Sequence, residues 1–357
     1  MTNLMSSSIA ARESVAAITT SHAESSPLVD SEQSRGASKT TFPSGAPETC
    51  PLCESVNSLQ IDSIDTRALV WAYRRFLKVD VRPYLDISTP IRFSLCQSCD
   101  LRFFSPALPG PASFYEQLLH FSWYYLQNKP EYQWARELIS ATDDVLEIGC
   151  GAAAFAKIIA PKSYTGVELT DAAAQQAREA GFNVLISSVD ELTQRDSLSF
   201  DVVCAFQVLE HVPNPKSFLT DAAAALRPGG RLIISVPSAD SYLRCMPSGV
   251  LNMPPHHMTW WSDAALTSVA DVIGLQLECI HHEGLAPLHY ASYVQAIVSC
   301  GLNHRLGRSW RLLDTTIPGL VTKALGVWAG RLLAPGVSDI GPLPNGHTVS
   351  AVFRRRS

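Results

Sequence analysis

Val145-Leu-Glu-Ile-Gly-Cys-Gly151 decides the fold of this 357-residue chain. Val145–Ile148 is short and mostly apolar, as a buried strand must be, and it runs straight into Gly-x-Gly. Glycines there let the backbone turn sharply and approach a ligand closely. The next apolar run, Tyr164–Val167, is followed by Glu168, 17 residues beyond Gly151. From that position a carboxylate accepts two hydrogen bonds from ribose hydroxyls. The competing reading is an ordinary tight turn with a surface glutamate.

The same rhythm continues outward. Asn183–Ile186, Val202–Phe206 and Leu232–Val236 are further apolar runs, and helical patterns separate them at Phe155–Ala160, Ala172–Ala180 and Lys216–Leu226. Gly181 and the Arg227-Pro228-Gly229-Gly230 turn stop two of these helices. Strands near Leu275–Ile280 and Thr348–Phe353 bring the total to seven. Alternation of this kind predicts an α/β fold, a Rossmann-like doubly wound sheet.

The flanks differ in character. Seventeen of the first 49 residues are Ser or Thr, too few apolar groups to offset chain entropy, so 1–49 is expected to be a disordered tail. Residues 50–109 form a small unit between two Cys-x-x-Cys pairs, with a helix over Ala68–Leu77 and a strand over Ile91–Leu95. Residues 110–286 hold two helices and then the α/β core. The helices carry an apolar stripe (Phe114, Tyr115, Leu118, Leu119) and an aromatic group (Trp123, Tyr124, Tyr125, Tyr132, Trp134) that reads mainly as packing. Residues 287–345 form a helical insertion, and 346–357 the last strand with a basic tail.

A hydrophobic fraction of 46% supports a sizeable core, and a net charge of −5 argues against coating nucleic acid through net charge. No run of about 18 uninterrupted apolar residues predicts a transmembrane helix. With no basic, apolar-cored leader, the expected location is the cytoplasm.

Three segments together carry a family resemblance. Val145–Phe155 is similar to motif I of class I S-adenosylmethionine-dependent methyltransferases. Phe200-Asp-Val-Val-Cys-Ala-Phe-Gln-Val-Leu-Glu-His-Val212 resembles their fourth-strand motif, and Leu226–Pro237 the segment leading into strand five. A dehydrogenase is the rival; Glu147, two positions before the first glycine, and the Leu-Arg-Pro-Gly-Gly turn favour the methyltransferase. The resemblance implies that Gly149 and Gly151 lie against the methionine part of S-adenosylmethionine, with Glu147 near its ammonium. Glu168 then holds the ribose, Leu169 packs on the adenine, Ser188 and Val189 meet the adenine edge, and Gln207 faces the methionyl end. Ala153 stands where the family often has a third glycine, and alanine resists positive φ.

Methyl transfer to a hydroxyl needs an aligned acceptor and a base titrating near neutral pH, which suits histidine. His211 follows strand four. His256 and His257 lie after strand five in Asn252-Met-Pro-Pro-His-His-Met-Thr-Trp-Trp261. That loop resembles one in a bacterial subgroup often linked to sugar or polysaccharide pathways. All three are candidate catalytic residues, set against the plainer reading that they order the loop.

Cys50, Cys53, Cys96 and Cys99 suit a structural zinc with four thiolate ligands. The 42 residues between the pairs are no obstacle, because lengthening a loop from about 18 residues to 42 costs roughly 0.7 kcal/mol. The same subgroup carries such a module. The expected function is methyl transfer to a small molecule: a sugar, glycan precursor or natural product. An RNA base methyltransferase and a non-catalytic cofactor-binding scaffold are the alternatives. Acidic residues interleaved with Arg67, Arg74, Arg75, Lys78 and Arg82, and the missing Asn/Asp-Pro-Pro-Tyr/Phe segment, weigh against nucleic acid. The insertion suits a pocket cap, a homodimer interface or, through 308–334, peripheral membrane contact.

Overall fold

The computed structural model describes residues 48–118, 120, 121, 124, 127–195, 199–246, 248–339 and 342–357. The expected tail, apart from its last two residues, lies outside them, as do Leu119, Trp123 and Tyr125. The described residues fall into two compact units. One comprises Glu48–Asp240, Ser248–Glu283 and Thr348–Ser357; the other comprises Ser241–Pro247 and Gly284–His347.

The larger unit begins with an antiparallel sheet. β1 (Ser58–Ile64) pairs with β2 (Ile91–Cys96), and β2 with β3 (Arg102–Ser105). Between the first two strands lies α1 (Thr66–Phe76), capped by the Asp65 carboxylate, which accepts from Ala68 N at 2.8 Å. Two short helices follow, α2 (Ala112–Leu118) and α3 (Pro130–Ala135).

The main sheet starts at β4 (Asp144–Ile148) and β5 (Ser163–Glu168). It continues through α4 (Asp171–Glu179), β6 (Val184–Ile186), α5 (Val189–Arg195), β7 (Phe200–Phe206), α6 (Pro215–Ala224) and β8 (Leu226–Pro237). β9 (Thr259–Trp260) returns to pair with β3 in the small sheet. α7 (Asp263–Ile273), β10 (Gln276–Gly284) and β11 (Asn345–Arg354) complete the chain order of this unit. The seven strands run β10-β11-β8-β7-β4-β5-β6. β4 pairs in parallel with both β5 and β7, so the chain reverses direction of growth at β4, and the crevice beyond its carboxyl end is where such sheets bind ligands. Every residue of β7 is buried, as a central parallel strand requires.

One hydrophobic cluster joins the two sheets. Cys50, Leu52, Cys96, Cys99 and Leu101 from the first pack with Leu146, Val203, Leu232 and Trp261 around the second.

The structure corrects two local expectations. No α-helix forms over Phe155–Ala160, only a 3-10 turn at Ala156–Ile158. Gly149, Gly151 and Ala153 all take positive φ, which interrupts the helical ladder, and Pro161 closes the segment. Arg227–Gly230 is not a free turn but an irregular start of β8, where the pairing register shifts and Gly229 takes φ +77°.

The smaller unit holds α8 (Tyr290–Arg305) and α9 (Ile317–Leu333). They touch through small residues: a Cβ on Gly326 would lie 2.7 Å from Gln295 O, and one on Gly330 2.5 Å from Ala291 O. The Thr316 hydroxyl caps α9.

Candidate active site

The glycine turn sits at the carboxyl end of β4. Gly149 and Cys150 both donate backbone N–H to Val167 O, which folds the turn against β5. Gly149 has φ +69°, and a Cβ there would lie 2.6 Å from a Val208 methyl carbon. Gly151 N donates to Glu168 Oε2 at 2.9 Å, while Glu168 Oε1 accepts from Thr170 N at 2.8 Å. The carboxylate is thus fixed beside the turn with lone pairs to spare. Leu169, next in sequence, is 72% exposed, an apolar platform beside that carboxylate. These features fit a nucleoside whose ribose meets Glu168 and whose tail crosses Gly149–Gly151.

Glu147 is buried and accepts from the Tyr164 hydroxyl at 2.5 Å. Gln207, directly after β7, takes φ +58°, and its amide nitrogen donates to the Thr348 hydroxyl at 3.4 Å. Strain at a non-glycine residue of this kind recurs at ligand sites. Ser188 is half-buried, whereas the Val189 side chain packs into the main core, leaving its backbone as the part that can face a ligand. Ala153 takes φ +56°, the conformation for which alanine is poorly suited.

The three histidines come together. Ring centroids lie 4.5 Å apart for His211 and His256, 4.9 Å for His211 and His257, and 4.5 Å for the stacked pair His256 and His257. His211 Nδ1 lies 2.6 Å from His256 O; a carbonyl only accepts, so Nδ1 carries the proton. Burial drives the ring down to about 4, so it is neutral at pH 7 and Nε2 is an acceptor. His256 differs: Nδ1 donates to Leu251 O at 2.7 Å, and Nε2 pairs with the Tyr124 hydroxyl at 2.8 Å. Both its ring nitrogens are engaged in holding the loop.

Sequence reasoning missed three partners. Glu210 is buried, its Oε1 lies 3.8 Å from His211 Nε2, and its Oε2 has no hydrogen-bond partner among the described residues. Tyr124 and Tyr73 hold the histidine loop, the latter reaching Val250 O at 2.8 Å and Met253 O at 3.1 Å. Only Glu210 had a visible signal, a charge beside His211 in an otherwise apolar stretch.

The four motif cysteines converge. Cys50 Sγ lies 3.6 Å from Cys99 Sγ, and Cys53 Sγ lies 3.5 Å from Cys96 Sγ, all four within 4.8 Å of one another. Zn–S bonds of about 2.3 Å in a tetrahedron place sulfurs roughly 3.8 Å apart, so the set fits one zinc ion with no open position. The remaining five cysteines are free thiols outside this cluster.

Two buried carboxyls make stability depend on pH. Burial raises Glu147 and Glu210 to about 8 each, above the roughly 4.3 of an unfolded glutamate. The fold favours their protonated forms, so that stability is lost as pH rises toward 8. His211, depressed to about 4, opposes the trend below pH ~6.5 and contributes nothing further above it. From pH ~6.5 to ~8 the unfolding free energy from urea titration should fall by about 1–2 kcal/mol per carboxyl, lowering the midpoint. Glu147→Gln, which keeps the acceptor for Tyr164, should flatten the slope; an unchanged slope refutes the assignment.

Residues 116–280 match a family described as a methyltransferase domain. Over 162 residues, 39% of this chain and 69% of the relative, the chain is 25% identical to a ubiquinone biosynthesis O-methyltransferase of Coxiella burnetii. It is 31% identical over 166 residues, 43% of this chain and 63% of the relative, to a Mycolicibacterium smegmatis protein named "Probable S-adenosylmethionine-dependent methyltransferase". Among solved structures, a SAM-dependent methyltransferase from Archaeoglobus fulgidus aligns with 68% of this chain and 100% of its own, at 15% identity and TM-score 0.43.

Proposed function

We propose that this chain, whose residues 116–280 match a methyltransferase domain, is a class I S-adenosylmethionine-dependent methyltransferase that methylates a hydroxyl of a small molecule, such as a sugar, glycan precursor or natural product. The O-methyltransferase names of its relatives support oxygen as the acceptor atom. S-adenosylmethionine, when bound, supplies a methyl group made electrophilic by the attached sulfonium. The chain's own residues bind and align. Gly149 and Gly151 present bare backbone to the methionyl part, and Glu147 faces its ammonium. Glu168 takes the ribose hydroxyls and Leu169 the adenine face. The backbone of Ser188 and Val189 meets the adenine edge, and Gln207 meets the methionyl end. His211 Nε2, its tautomer held by His256 O, accepts the hydrogen bond of the acceptor hydroxyl and orients it; burial, which lowers the ring to about 4, makes it an aligning group rather than a strong base. His257 and His256 shape the acceptor side of the pocket.

A zinc ion on Cys50, Cys53, Cys96 and Cys99 would serve structure alone, and thiolate ligation of this kind suits a reducing compartment such as the cytoplasm.

The observation that carries the reading is the Glu168 carboxylate fixed on Gly151 N at the crevice of the sheet. The test is titration calorimetry with S-adenosylhomocysteine. The wild type should bind, and Glu168→Ala should bind roughly 10–100-fold more weakly, the effect of losing charge-assisted hydrogen bonds of about 1.5–3 kcal/mol. Equal binding by folded wild type and variant, or none by the wild type, rejects it.

A further inference from the structure

α9 has two unlike faces. Gly319, Thr322, Gly326, Ala329 and Gly330 are buried, and Gly326 and Gly330 let α8 approach too closely for side chains. Ile317, Val321, Leu325, Trp328 and Leu332 lie on the opposite side. Ile317 is 80% exposed, Trp328 65%, and the other three between 47% and 59%. Their spacing of four, four, three and four keeps them in one stripe about 80° wide at 100° per residue. Five large apolar side chains in one exposed row exceed the scattered singles normal for a soluble surface.

Charge indicates what covers the row. From Gly284 to His347 the sequence has five basic residues against two acidic ones, net +3 in a chain of net −5. Arg331 stands exposed at the edge of the stripe, and Arg311 is exposed just before the helix. One acidic residue, Asp314, is already paired with Arg308 at 2.5 Å. A second copy would bring two net-positive units together. A stable dimer buries roughly 800 Å² per partner, about 20–30 residues a side, against the five exposed apolar residues of this row. At 17 residues, α9 is not long and apolar enough to cross a bilayer. An apolar face with a central tryptophan and flanking arginines is the pattern of a helix lying in the headgroup layer.

We propose that α9 seats this protein on an anionic lipid surface, with Ile317, Val321, Leu325, Trp328 and Leu332 entering the interface and Arg311 and Arg331 meeting lipid phosphates. The inference uses none of the chemistry at the glycine turn. It is tested by flotation of the full-length protein with vesicles of phosphatidylcholine alone and of phosphatidylcholine mixed with phosphatidylglycerol. Binding should favour the mixed vesicles, weaken with salt, and blue-shift a tryptophan emission that Trp328→Phe removes. Leu325→Asp, an exposed change that leaves the melting temperature in place, should weaken partitioning about tenfold or more. Light scattering on the same samples reports association. No preference for anionic vesicles, or a dimer that Leu325→Asp splits while vesicles bind neither form, overturns the proposal.

Discussion

Gly149→Ala is expected to abolish S-adenosylhomocysteine binding. The added Cβ would lie 2.6 Å from a Val208 methyl carbon, and the residue must hold φ +69°. Left-handed backbone costs a non-glycine residue roughly 1–2 kcal/mol, and overpacking adds about 1–3 kcal/mol. The turn must move, and its movement fills the surface on which the methionyl part would lie. The melting temperature should drop by roughly 5–15 °C, with no binding heat at concentrations that saturate the wild type. Gly181→Ala is the matched control. Gly181 has φ +90°, but a Cβ there would meet nothing within 4 Å, so that variant should lose a little stability and no affinity. If both variants bind alike, the glycine turn does not hold the cofactor.

Removing metal should unfold more than the cysteine knuckles. Structural zinc contributes about 10–16 kcal/mol of apparent binding energy, as much as the whole stability of an ordinary domain. The four thiols share their hydrophobic cluster with Trp261, and the small sheet they close includes β9, directly after the histidine loop. Metal analysis should find one zinc per chain. A strong chelator, or Cys96→Ser, should release it, expose the cluster's thiols to titration, and lower the affinity for S-adenosylhomocysteine along with the melting temperature. A zinc-free, stable protein whose four cysteines resist thiol reagents until reduced would show disulfides instead.

Both expectations draw on features of unequal visibility in the sequence. The glycine turn was legible because it needs particular residue types at fixed spacing: a buried strand, Gly-x-Gly, then an acid ending the next strand. The cysteine pairs were legible for the same reason, since a metal knuckle forms within four residues. The helix expected at Phe155–Ala160 was not, because apolar periodicity carries no information about the left-handed positions at Gly149, Gly151 and Ala153 just upstream. β3 and β9 were missed as strands because four and two residues are too few to show alternation, and β9 pairs with β3 only across a long stretch of chain.

The sequence by itself determined the doubly wound sheet, the carboxylate at Glu168, the glycines that face it and the four thiols. Each follows from local stereochemistry or from a short repeat that any neighbourhood would respect. Only the tertiary structure decided that His211 has its Nδ1 proton committed to His256 O, that His256 is occupied on both ring nitrogens, and that Glu210 is buried beside them. It also decided which face of α9 is spent on α8 and which is left bare. Such facts depend on which atoms meet across long loops, and a side chain's tautomer, hydrogen-bond partners and burial are set by that meeting rather than by position along the chain.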